Sequence, residues 1–241
     1  MNKIAFIADI HSNITALNAV LKDIKDRNVN KIICLGDMIG KGPSPDLVID
    51  TIKKECFDVI IGNLEISIID VETKEHGIWN RNKLGNERIK YIKSLNYKNN
   101  IKIAGKNVSY FHTISKDNYL TDVTRVQKDS SKEDKLKLFE VNKLNKSDIV
   151  VYADIHYQYS ENIGKKLIIN TGSVGNKLTD KVENICAEYV ILSEKEDKSL
   201  DLQFIKVPYS KEKEIDIVNN SDMPHKEKYI TEILTGKYVN I

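Results

Sequence analysis

Ile-Ala-Phe-Ile-Ala-Asp-Ile-His, residues 4–11, is an apolar run that ends in two polar side chains. A short, unbroken apolar run is typical of a buried strand, and we predict a strand over residues 3–9. Because side chains alternate along a strand, Asp9 and His11 are expected to point to the same side. At the carboxyl end of a strand, that side is the crevice where open α/β sheets bind ligands. A carboxylate and an imidazole held there suit a divalent cation such as Mn, Fe or Zn.

Helices and strands alternate in the residues that follow. The spacing of apolar residues predicts, in chain order, a helix over 14–27, a strand over 31–35, a helix around 47–52 and a strand over 58–61. Strands that alternate with helices pair in parallel within an α/β layer structure. The next segment, residues 64–97, is expected to be mostly helical.

The second half of the chain changes to short β-like runs. They lie near 101–103, 107–112, 148–153, 166–170, 186–193 and 200–207, with one helical interruption near 132–145. We expect several of them to be neighbours in an antiparallel or mixed second sheet. A charged C-terminal stretch over 211–236 has helical spacing and ends at Gly236. No repeat or linker divides the chain, so we predict one domain over 1–241 with two sheets.

Composition narrows the classes of function. The chain is 41% hydrophobic and 30% charged, which is typical of an ordinary globular protein. The 37 basic and 35 acidic residues nearly cancel, so no global charge favours nucleic acid or an anionic membrane. No apolar stretch approaches the roughly 20 residues that span a bilayer. We expect a soluble, cytoplasmic protein in which Cys34, Cys56 and Cys186 are buried free thiols.

Residue types that bind metals recur where the predicted strands end. They are Asp9 with His11, Gly36-Asp37, Gly62-Asn63, His112, and Asp154-Ile155-His156. A glycine before Asp37 and before Asn63 lets the backbone approach a crowded site, because glycine has no Cβ. Side chains from separate strand ends can surround two cations. Two cations about 3.5–4 Å apart generate a hydroxide and clamp the attacking and leaving oxygens of a phosphoryl displacement.

The order of these motifs resembles that of the calcineurin-like metallophosphoesterases, and most closely their small bacterial and archaeal branch. Further stretches resemble signatures of that branch along nearly the whole chain: Leu35 to Pro43, Trp79 to Leu84, Asn170 to Gly175, Val207 to Tyr209, and Asp222 to Pro224. The resemblance implies an α/β fold of four layers (αββα), in which two mixed β-sheets lie face to face with helices outside.

The resemblance also implies a role for each ligand residue. The ligands of the first metal ion would be Asp9, His11, Asp37 and His156, and those of the second Asn63, His112 and Asp154. Asp37 would bridge the two ions. A hydroxide that bridges the ions would attack phosphorus, and the catalytic residues would be Asp37, Asn63 and His112. Two divalent ions are implied as cofactors. Manganese is expected first, with iron, zinc, magnesium and nickel as alternatives.

Three positions depart from the pattern of the family. Leu64 stands where the family usually has a histidine that stabilises or protonates the leaving group. Asp154 replaces a histidine ligand, and it would either bind the second metal ion or orient a histidine as a hydrogen-bond acceptor. Thr113 stands where glycine is common. Loss of general acid catalysis removes typically 10²–10⁴-fold in rate. We therefore hypothesise substrates whose leaving group needs no proton, such as nucleotide anhydrides or aryl phosphates.

The predicted function is a dinuclear metal-dependent hydrolase of phosphoester or phosphoanhydride bonds. It would be a phosphodiesterase or a nucleotide hydrolase of the kind that acts on diadenosine polyphosphates. Its partner would be a small phosphorylated substrate, with a nucleotide among the candidates and neither nucleic acid nor a membrane expected. The sequence is also compatible with a homo-oligomer. The alternatives are a weakened or degenerate member that acts as a binding or scaffold module, and a protein phosphatase.

Several residues near the motifs are candidates for substrate binding. Asn13 and Lys41 lie next to ligand residues in the sequence and are candidates to contact a substrate phosphate. Arg81 is a candidate to contact a phosphate as well. Trp79 is a candidate to contact a base, although a core anchor explains this tryptophan at least as well.

Two histidines lie outside the motifs. His76 and His225 have charged neighbours in the sequence and are expected on the surface. Substrate specificity is expected to depend on the loops over 113–130 and 175–185.

Overall fold

The computed structural model describes residues 3–71, 74–115, 123–140 and 147–239. In chain order its strands are β1 Lys3–Ile7, β2 Lys31–Cys34, β3 Asp58–Val59, β4 Lys98–Ile103, β5 Lys106–Phe111, β6 Ile114–Ser115, β7 Val123–Thr124, β8 Ile149–Tyr152, β9 Gln158–Ile163, β10 Lys166–Thr171, β11 Ala187–Glu194 and β12 Leu200–Val207. Its α-helices are α1 Ile14–Asp26, α2 Pro45–Glu55, α3 Asn63–Ile66, α4 Glu75–Lys93, α5 Lys132–Glu140, α6 Lys211–Asn220 and α7 Lys226–Thr235. A π-helical turn at Ser67–Val71 follows α3, and a 3₁₀ turn lies at Val182–Asn184.

Most of the described strands form two mixed five-stranded sheets. The first sheet has the order β12-β11-β1-β2-β3, and the second has the order β4-β5-β8-β10-β9. Neighbours among β1, β2 and β3 are parallel, as predicted, and β11 and β12 add antiparallel pairs. In the second sheet β5, β8 and β10 are parallel, and the edge strands β4 and β9 are antiparallel to their neighbours. β6 and β7 form a separate small ribbon.

Side-chain alternation along β1 shows how the layers are built. Ile4 and Phe6 point into a buried apolar cluster between the two sheets, where the rings of Phe6 and Tyr110 pack edge to face. Ala5 and Ile7 belong to a second cluster, between the first sheet and helices α1, α2 and α4. The first sheet is therefore buried on both faces, which explains the unbroken apolar run that begins the chain.

Helix α5 covers the outer face of the second sheet. Leu138 and Phe139 of this helix pack in one cluster with Phe111 of β5 and Val150 of β8. The order of layers is helices, first sheet, second sheet, helix. The predicted four-layer αββα sandwich is confirmed.

The first strand is shorter than predicted, and this changes the reason why its polar residues share a site. β1 ends at Ile7, and Asp9 and His11 follow in left-handed backbone with φ of 53° and 51°. Strand alternation therefore does not set the direction of these side chains; the turns after the strand do. The predicted strand over 58–61 is also shorter, with Ile60 in an isolated bridge to Asn96.

Other boundaries differ for identifiable reasons. The C-terminal stretch over 211–236 contains two helices, with Pro224, which has no N–H to donate, between them. Strand β9 escaped prediction because it is an edge strand of largely polar sequence. Of the helix predicted over 132–145, residues 141–145 lie outside the described residues, as does 116–122 of the predicted specificity loop.

Two expectations about the whole chain can be compared with the structure. Cys34, Cys56 and Cys186 are free thiols, but only Cys34 is fully buried. Among the helices of the described ranges, none has both the length and the apolar character needed to cross a membrane.

Candidate metal centre

The candidate site lies where strand ends of the two sheets meet. Asp9 follows β1 and Asp37 follows β2 in the first sheet, while His112 follows β5 in the second. Asp154 and His156 follow β8, the neighbour of β5. All five side chains are buried. Because parallel strands present their carboxyl ends at one edge, two face-to-face sheets bring ligands from both layers into one crevice.

The backbone of the site is left-handed at five predicted ligands. φ is 53° at Asp9, 51° at His11, 48° at Asp37, 71° at Asp154 and 61° at His156. Left-handed backbone costs an L-residue roughly 1–2 kcal/mol. It persists only where the surrounding structure enforces it, and such residues cluster at functional sites. This concentration of strain marks the crevice as the functional centre of the fold.

Backbone hydrogen bonds join the loops that carry the first two motifs. The N–H of Asp9 donates to the carbonyl of Gly36 at 3.1 Å, and the N–H of His11 donates to the carbonyl of Asp37 at 3.0 Å. A Cβ at Gly36 would lie 2.4 Å from the nitrogen of Gly62, and a Cβ at Gly62 would lie 2.2 Å from the nitrogen of Asp37. The prediction that these glycines allow close backbone approach is confirmed.

The first group of candidate ligands consists of Asp9, His11 and His156. The Nε2 atoms of His11 and His156 lie 3.0 Å apart. Asp9 Oδ1 lies 3.4 Å from His156 Nε2 and 3.8 Å from His11 Nε2. One ligand atom of each residue lies within 4.8 Å of the others, so the three can hold a single cation.

The second group consists of Asp9, Asp37 and His112. His112 Nε2 lies 3.4 Å from Asp37 Oδ1 and 3.9 Å from Asp9 Oδ1. Asp9 is the residue that the two groups share, whereas the resemblance implied Asp37 as the bridge. Of the predicted ligands, the structure thus brings five together in two adjacent groups: Asp9, His11, Asp37, His112 and His156.

Hydrogen bonds orient two of the three imidazoles. His112 Nδ1 donates to the carbonyl of Leu35 at 2.8 Å, and His156 Nδ1 donates to the carbonyl of Asn176 at 2.5 Å. A neutral ring that donates from Nδ1 leaves a lone pair on Nε2, which is the nitrogen that faces the site in both residues. Each ring is therefore held as a ligand before any cation binds.

Four buried polar atoms of the site have no hydrogen-bond partner within the described ranges. They are Asp9 Oδ1, His11 Nδ1, Asn63 Oδ1 and His112 Nε2. A buried polar atom without a partner costs about 1–3 kcal/mol. Oxygen and imidazole nitrogen bind Mn, Fe and Zn, so divalent cations would satisfy Asp9 Oδ1 and His112 Nε2, whereas His11 Nδ1 lies on the ring edge opposite its candidate ligand atom, Nε2. The residues present therefore fit a metal centre. Asn63 begins α3 beside it, because the next residue, Leu64, donates its N–H to Asp37 Oδ1 at 2.9 Å.

Charges inside the cluster shift the pKa values of its histidines in opposite directions. Burial lowers the pKa of His11 well below its ordinary value, and the neighbouring His156 lowers it further. Burial also opposes protonation of His112, but the carboxylates of Asp37 and Asp9 outweigh it and raise the pKa of His112 well above its ordinary value. The carboxylates thus call for positive charge, which an imidazolium or a bound cation supplies.

Asp154 lies beside these groups but outside both. Its Oδ2 is 3.0 Å from Nε of Arg125 and accepts a hydrogen bond from Thr113 Oγ1 at 3.2 Å. Its Oδ1 lies 3.9 Å from His112 Nε2. Burial raises the pKa of Asp154. Arg125 therefore contacts both oxygens of the carboxylate, since its Nη2 also donates to Oδ1 at 3.3 Å.

Arg125 is a residue that the sequence did not single out. Its guanidinium bonds the buried Asp154, yet 56% of its side chain is exposed, so it lies at the mouth of the crevice. It falls within the loop predicted to set specificity, but no local motif distinguished it from other charged residues there.

Glu65 is a second residue that the sequence analysis missed. Its buried carboxylate accepts hydrogen bonds from the N–H groups of Asp37 at 2.9 Å, Met38 at 2.7 Å, Ile39 at 3.1 Å and Gly62 at 2.7 Å. Burial, with the charge of Asp37, raises the pKa of Glu65 to about 7. Glu65 thereby ties the loop of Asp37 to the start of α3. A glutamate three residues after a helix cap is a capping-box signal that could have revealed it.

The structure separates the predicted substrate-binding residues. Asn13 is buried and caps α1: its Oδ1 accepts from the N–H of Ala16 at 2.9 Å, and its Nδ2 donates to the carbonyl of Gly175 at 3.1 Å. The side chain therefore serves the fold rather than the crevice. Arg81 donates to the carbonyl of Ile68 and does not line the cavity described next.

A cavity of about 510 Å³ adjoins the centre, and Lys41 is one of its lining residues. His76 and His225 line it as well. The prediction of a surface position is confirmed for His225, whereas His76 is only partly exposed. His76 is half-buried, and its Nε2 donates to the carbonyl of Gly40 at 3.1 Å. His225 is about half exposed at the rim.

Trp79 is an anchor for the C-terminal helices. It packs against the apolar cluster formed by α6, α7 and Met223, and its Nε1 donates to Asp222 Oδ1 at 3.0 Å. Of the two functions considered for this tryptophan, these contacts favour the anchor.

Comparison with known proteins agrees with this fold and centre. A family model for the calcineurin-like phosphoesterase superfamily domain matches residues 2–197, and the chain therefore belongs to this superfamily. It is 30% identical over 250 residues to the uncharacterized protein MJ0912 of Methanocaldococcus jannaschii, an alignment that covers 92% of this chain and 93% of that protein.

Solved structures share the whole architecture. A metallophosphoesterase from Sphaerobacter thermophilus matches with a TM-score of 0.77 at 20% identity, over 98% of this chain and 99% of that chain. The hypothetical protein PH1004 from Pyrococcus horikoshii matches with a TM-score of 0.80 at 18% identity, over 99% and 100% of the two chains. At these identities the matches establish a common fold.

Proposed function

We propose that this protein is a dinuclear metal-dependent phosphoesterase that hydrolyses phosphodiester or phosphoanhydride bonds of small phosphorylated molecules, nucleotides such as diadenosine polyphosphates among them. The observation that carries the proposal is the convergence of ligand atoms of Asp9, His11, Asp37, His112 and His156 in a chain of the calcineurin-like superfamily; among them, Asp9 Oδ1 and His112 Nε2 are buried with no hydrogen-bond partner in the described ranges.

Each ligand residue has a place in this proposal. His11 and His156 would hold one divalent ion together with Asp9, and His112 and Asn63 would hold the other together with Asp37. Manganese is the first candidate because the set mixes carboxylate, amide and imidazole ligands. When bound, two such ions supply a water of lowered pKa and positive charge for the phosphoryl oxygens. Glu65 keeps Asp37 and the start of α3 in register with one another.

The residue next to Asn63 restricts the leaving group. Leu64 is partly buried and packs with the apolar cluster of the first sheet, and its Cδ1 would lie 2.9 Å from a Cβ at Gly40. Leucine has no proton to donate, so the site favours substrates whose leaving oxygen carries negative charge without help. Phosphoanhydrides and aryl esters meet this requirement, and alkyl esters do not.

Arg125 supplies a charge that Leu64 does not. Its guanidinium is fixed by Asp154 at the mouth of the crevice, and more than half of its side chain faces solvent. An arginine in this position can bind two oxygens of a phosphate at once. In this proposal Arg125 contacts a non-bridging or leaving oxygen of the substrate, and Asp154 orients it.

The proposal is tested by metal content and by hydrolysis of bis-p-nitrophenyl phosphate. The purified protein is expected to bind two divalent ions per chain and to turn over the ester with added Mn²⁺. The variant Asp37→Asn is expected to lose this activity, whereas the exposed control Lys102→Ala keeps it. No turnover with Mn²⁺, Fe²⁺, Zn²⁺, Mg²⁺ or Ni²⁺, together with metal content well below one ion, would exclude the enzyme.

That negative outcome would favour the second candidate, a binding or scaffold module. The ion pair between Asp154 and Arg125 supports it, because a carboxylate paired with arginine is a weaker ligand than the histidine usual in the family. A protein phosphatase is less compatible with Leu64, since the protein phosphatases of this family depend on the histidine that Leu64 replaces.

A further inference from the structure

The cavity beside the metal centre has no role in the function proposed so far. It lies between the loop that follows β2, the start of α4 and the start of α7, and its volume is about 510 Å³. Ligand cavities have volumes of roughly 300–1,000 Å³, so the space accommodates a substantial part of a small molecule.

The cavity and the candidate metal centre share a wall. Tyr238 lines the cavity, and its hydroxyl lies 3.5 Å from Nδ1 of His156, on the ring edge opposite the candidate ligand atom. The loop on the other side is shared as well: Gly42 donates to the carbonyl of His11 at 2.8 Å, while the neighbouring Lys41 lines the cavity. The cavity and the candidate metal centre are therefore neighbours, with Tyr238 and Lys41 at their common boundary.

The lining of the cavity is strongly positive. Three lysines line it, Lys41, Lys74 and Lys228, against a single carboxylate, Glu232, which leaves an excess of two positive charges even with the lining histidines neutral. Glu232 is already engaged, because its Oε2 lies 2.9 Å from Nζ of Lys41. The cavity thus has cationic groups to bind an anion and little negative charge to repel one.

Two histidines also line this cavity. His76 donates to the carbonyl of Gly40, so its ring is held in the wall. His225 lies 4.0 Å from Glu75, whose side chain is 75% exposed. Within the described ranges, the ammonium group of Lys228 forms no ion pair with a carboxylate. Lys228 is therefore the cation best placed to bind an incoming anion.

We infer that this cavity binds a second phosphate group of the substrate, beyond the one that reacts, so that the substrate is an extended phosphoanhydride rather than a simple ester. The inference deepens the proposed function and rests on it for the reaction itself. The anion site, however, consists of lysine and histidine side chains and does not depend on the metal ligands.

Binding of inorganic pyrophosphate to the full-length protein in EDTA tests the cavity alone. Isothermal titration is expected to show binding that weakens about tenfold in Lys228→Ala, because a hydrogen bond to a charged group is lost. The exposed control Lys102→Ala is expected to stay within twofold of the parent. If Lys228→Ala does not fold, Lys74→Ala is the second variant. Equal affinities of parent and cavity variants, or sulfate that binds as tightly as pyrophosphate, would overturn the inference.

Kinetics then test the substrate class. The ratio of kcat/KM for diadenosine tetraphosphate to kcat/KM for bis-p-nitrophenyl phosphate, which lacks a second phosphate, is expected to fall about tenfold in Lys228→Ala. The ratio should stay within twofold in Lys102→Ala. An unchanged ratio in Lys228→Ala, with both substrates hydrolysed, overturns the inference alone. Failure of the parent to hydrolyse either substrate with any metal overturns the proposed function, while the titration still decides whether the cavity binds a phosphate chain.

Discussion

His11 Nε2 lies 3.0 Å from His156 Nε2, although 145 residues separate them in the chain. The Nδ1 of His156 is already committed as a donor to Asn176. In the absence of a cation, only the N–H of His11 can bridge the two nitrogens, because two lone pairs at this distance repel. The two rings are therefore positioned so that both could bind one ion, and they reach this position from opposite sheets.

Metal stoichiometry should separate the two candidate positions. His156 belongs only to the first group and His112 only to the second. We expect His156→Gln and His112→Gln each to lower bound metal from two ions per chain to about one, and the double variant to bind none. Elemental analysis after dialysis measures this, with His225→Gln as the histidine control. Loss of both ions in each single variant would show one coupled site instead.

Glu65 should prove essential to the loop it binds. In Glu65→Gln the Nε2 group would face main-chain N–H groups that now donate to a carboxylate oxygen, so at least two buried donors lose their partner. At about 1–3 kcal/mol each, the free energy of unfolding should fall by roughly 2–6 kcal/mol. Urea denaturation in EDTA measures the change without any contribution from metal. Asp70→Asn, at an exposed ion pair, is the matched control and should shift stability by less than 1 kcal/mol. A decrease of less than 1 kcal/mol in Glu65→Gln would mean that the loop of Asp37 does not depend on the hydrogen bonds to Glu65.

Reaction rates should depend steeply on the leaving group. Because Leu64 offers no proton, we expect p-nitrophenyl phosphodiesters to react about 10²–10⁴-fold faster than matched alkyl esters, the range ascribed to general acid catalysis. A series of aryl and alkyl esters of graded leaving-group pKa measures this dependence. Similar rates across the series would show that another group donates the proton.

Arg125 should contribute through the substrate rather than through the fold. We expect Arg125→Ala to lower kcat/KM by about tenfold or more, because a charge-assisted contact to a phosphate oxygen is lost. Lys137→Ala, which removes another exposed cation, should leave it unchanged. The double variant Arg125→Ala with Asp154→Asn removes the carboxylate left without its cation. Recovery of activity in that double variant would assign Arg125 a purely structural part.

Glu214 should make stability depend on pH. Its carboxylate is buried under α7, accepts from Tyr229 Oη at 3.0 Å and from the N–H of Thr15 at 3.3 Å, and burial raises its pKa. An unfolded glutamate has a pKa of about 4.3, so above that pH the folded state binds more protons than the unfolded state. The free energy of unfolding should therefore fall as pH rises through the raised pKa.

The comparison variant is Glu214→Gln, which cannot ionise; its single Oε1 can accept from the N–H of Thr15 while its Nε2 donates to Tyr229 Oη. Urea denaturation at stepped pH in EDTA should give this variant a smaller decrease of stability with rising pH than the parent. Parallel curves for the two proteins would mean that Glu214 titrates as it does in the unfolded chain.

Much of the fold was accessible from the sequence because its signals are local. Residues 4–7 lie in a sheet that is buried on both faces, so their continuous apolar run predicted a strand. The glycines before Asp37 and Asn63 predicted the close approach of the backbone. Strand β9 gave no such signal, since an edge strand can be polar.

The parts of the site that escaped prediction depend on contacts between distant segments. Asp9 and His11 were placed on a strand, yet their direction comes from turns held by hydrogen bonds to Gly36 and Asp37. Arg125 acquires its place only by meeting Asp154 across the sheet edge. The spacing of residues within one segment cannot predict a contact with a distant segment.

The left-handed backbone at Asp9, His11, Asp37, Asp154 and His156 has a consequence for how this protein can change. Glycine adopts that conformation without strain, so replacement of a ligand by glycine would relieve backbone energy while it destroys the site. At these positions folding stability favours glycine whereas the proposed catalysis needs the ligand side chains, a conflict common at active sites. A lineage released from selection on these side chains would gain folding stability by replacing them with glycine.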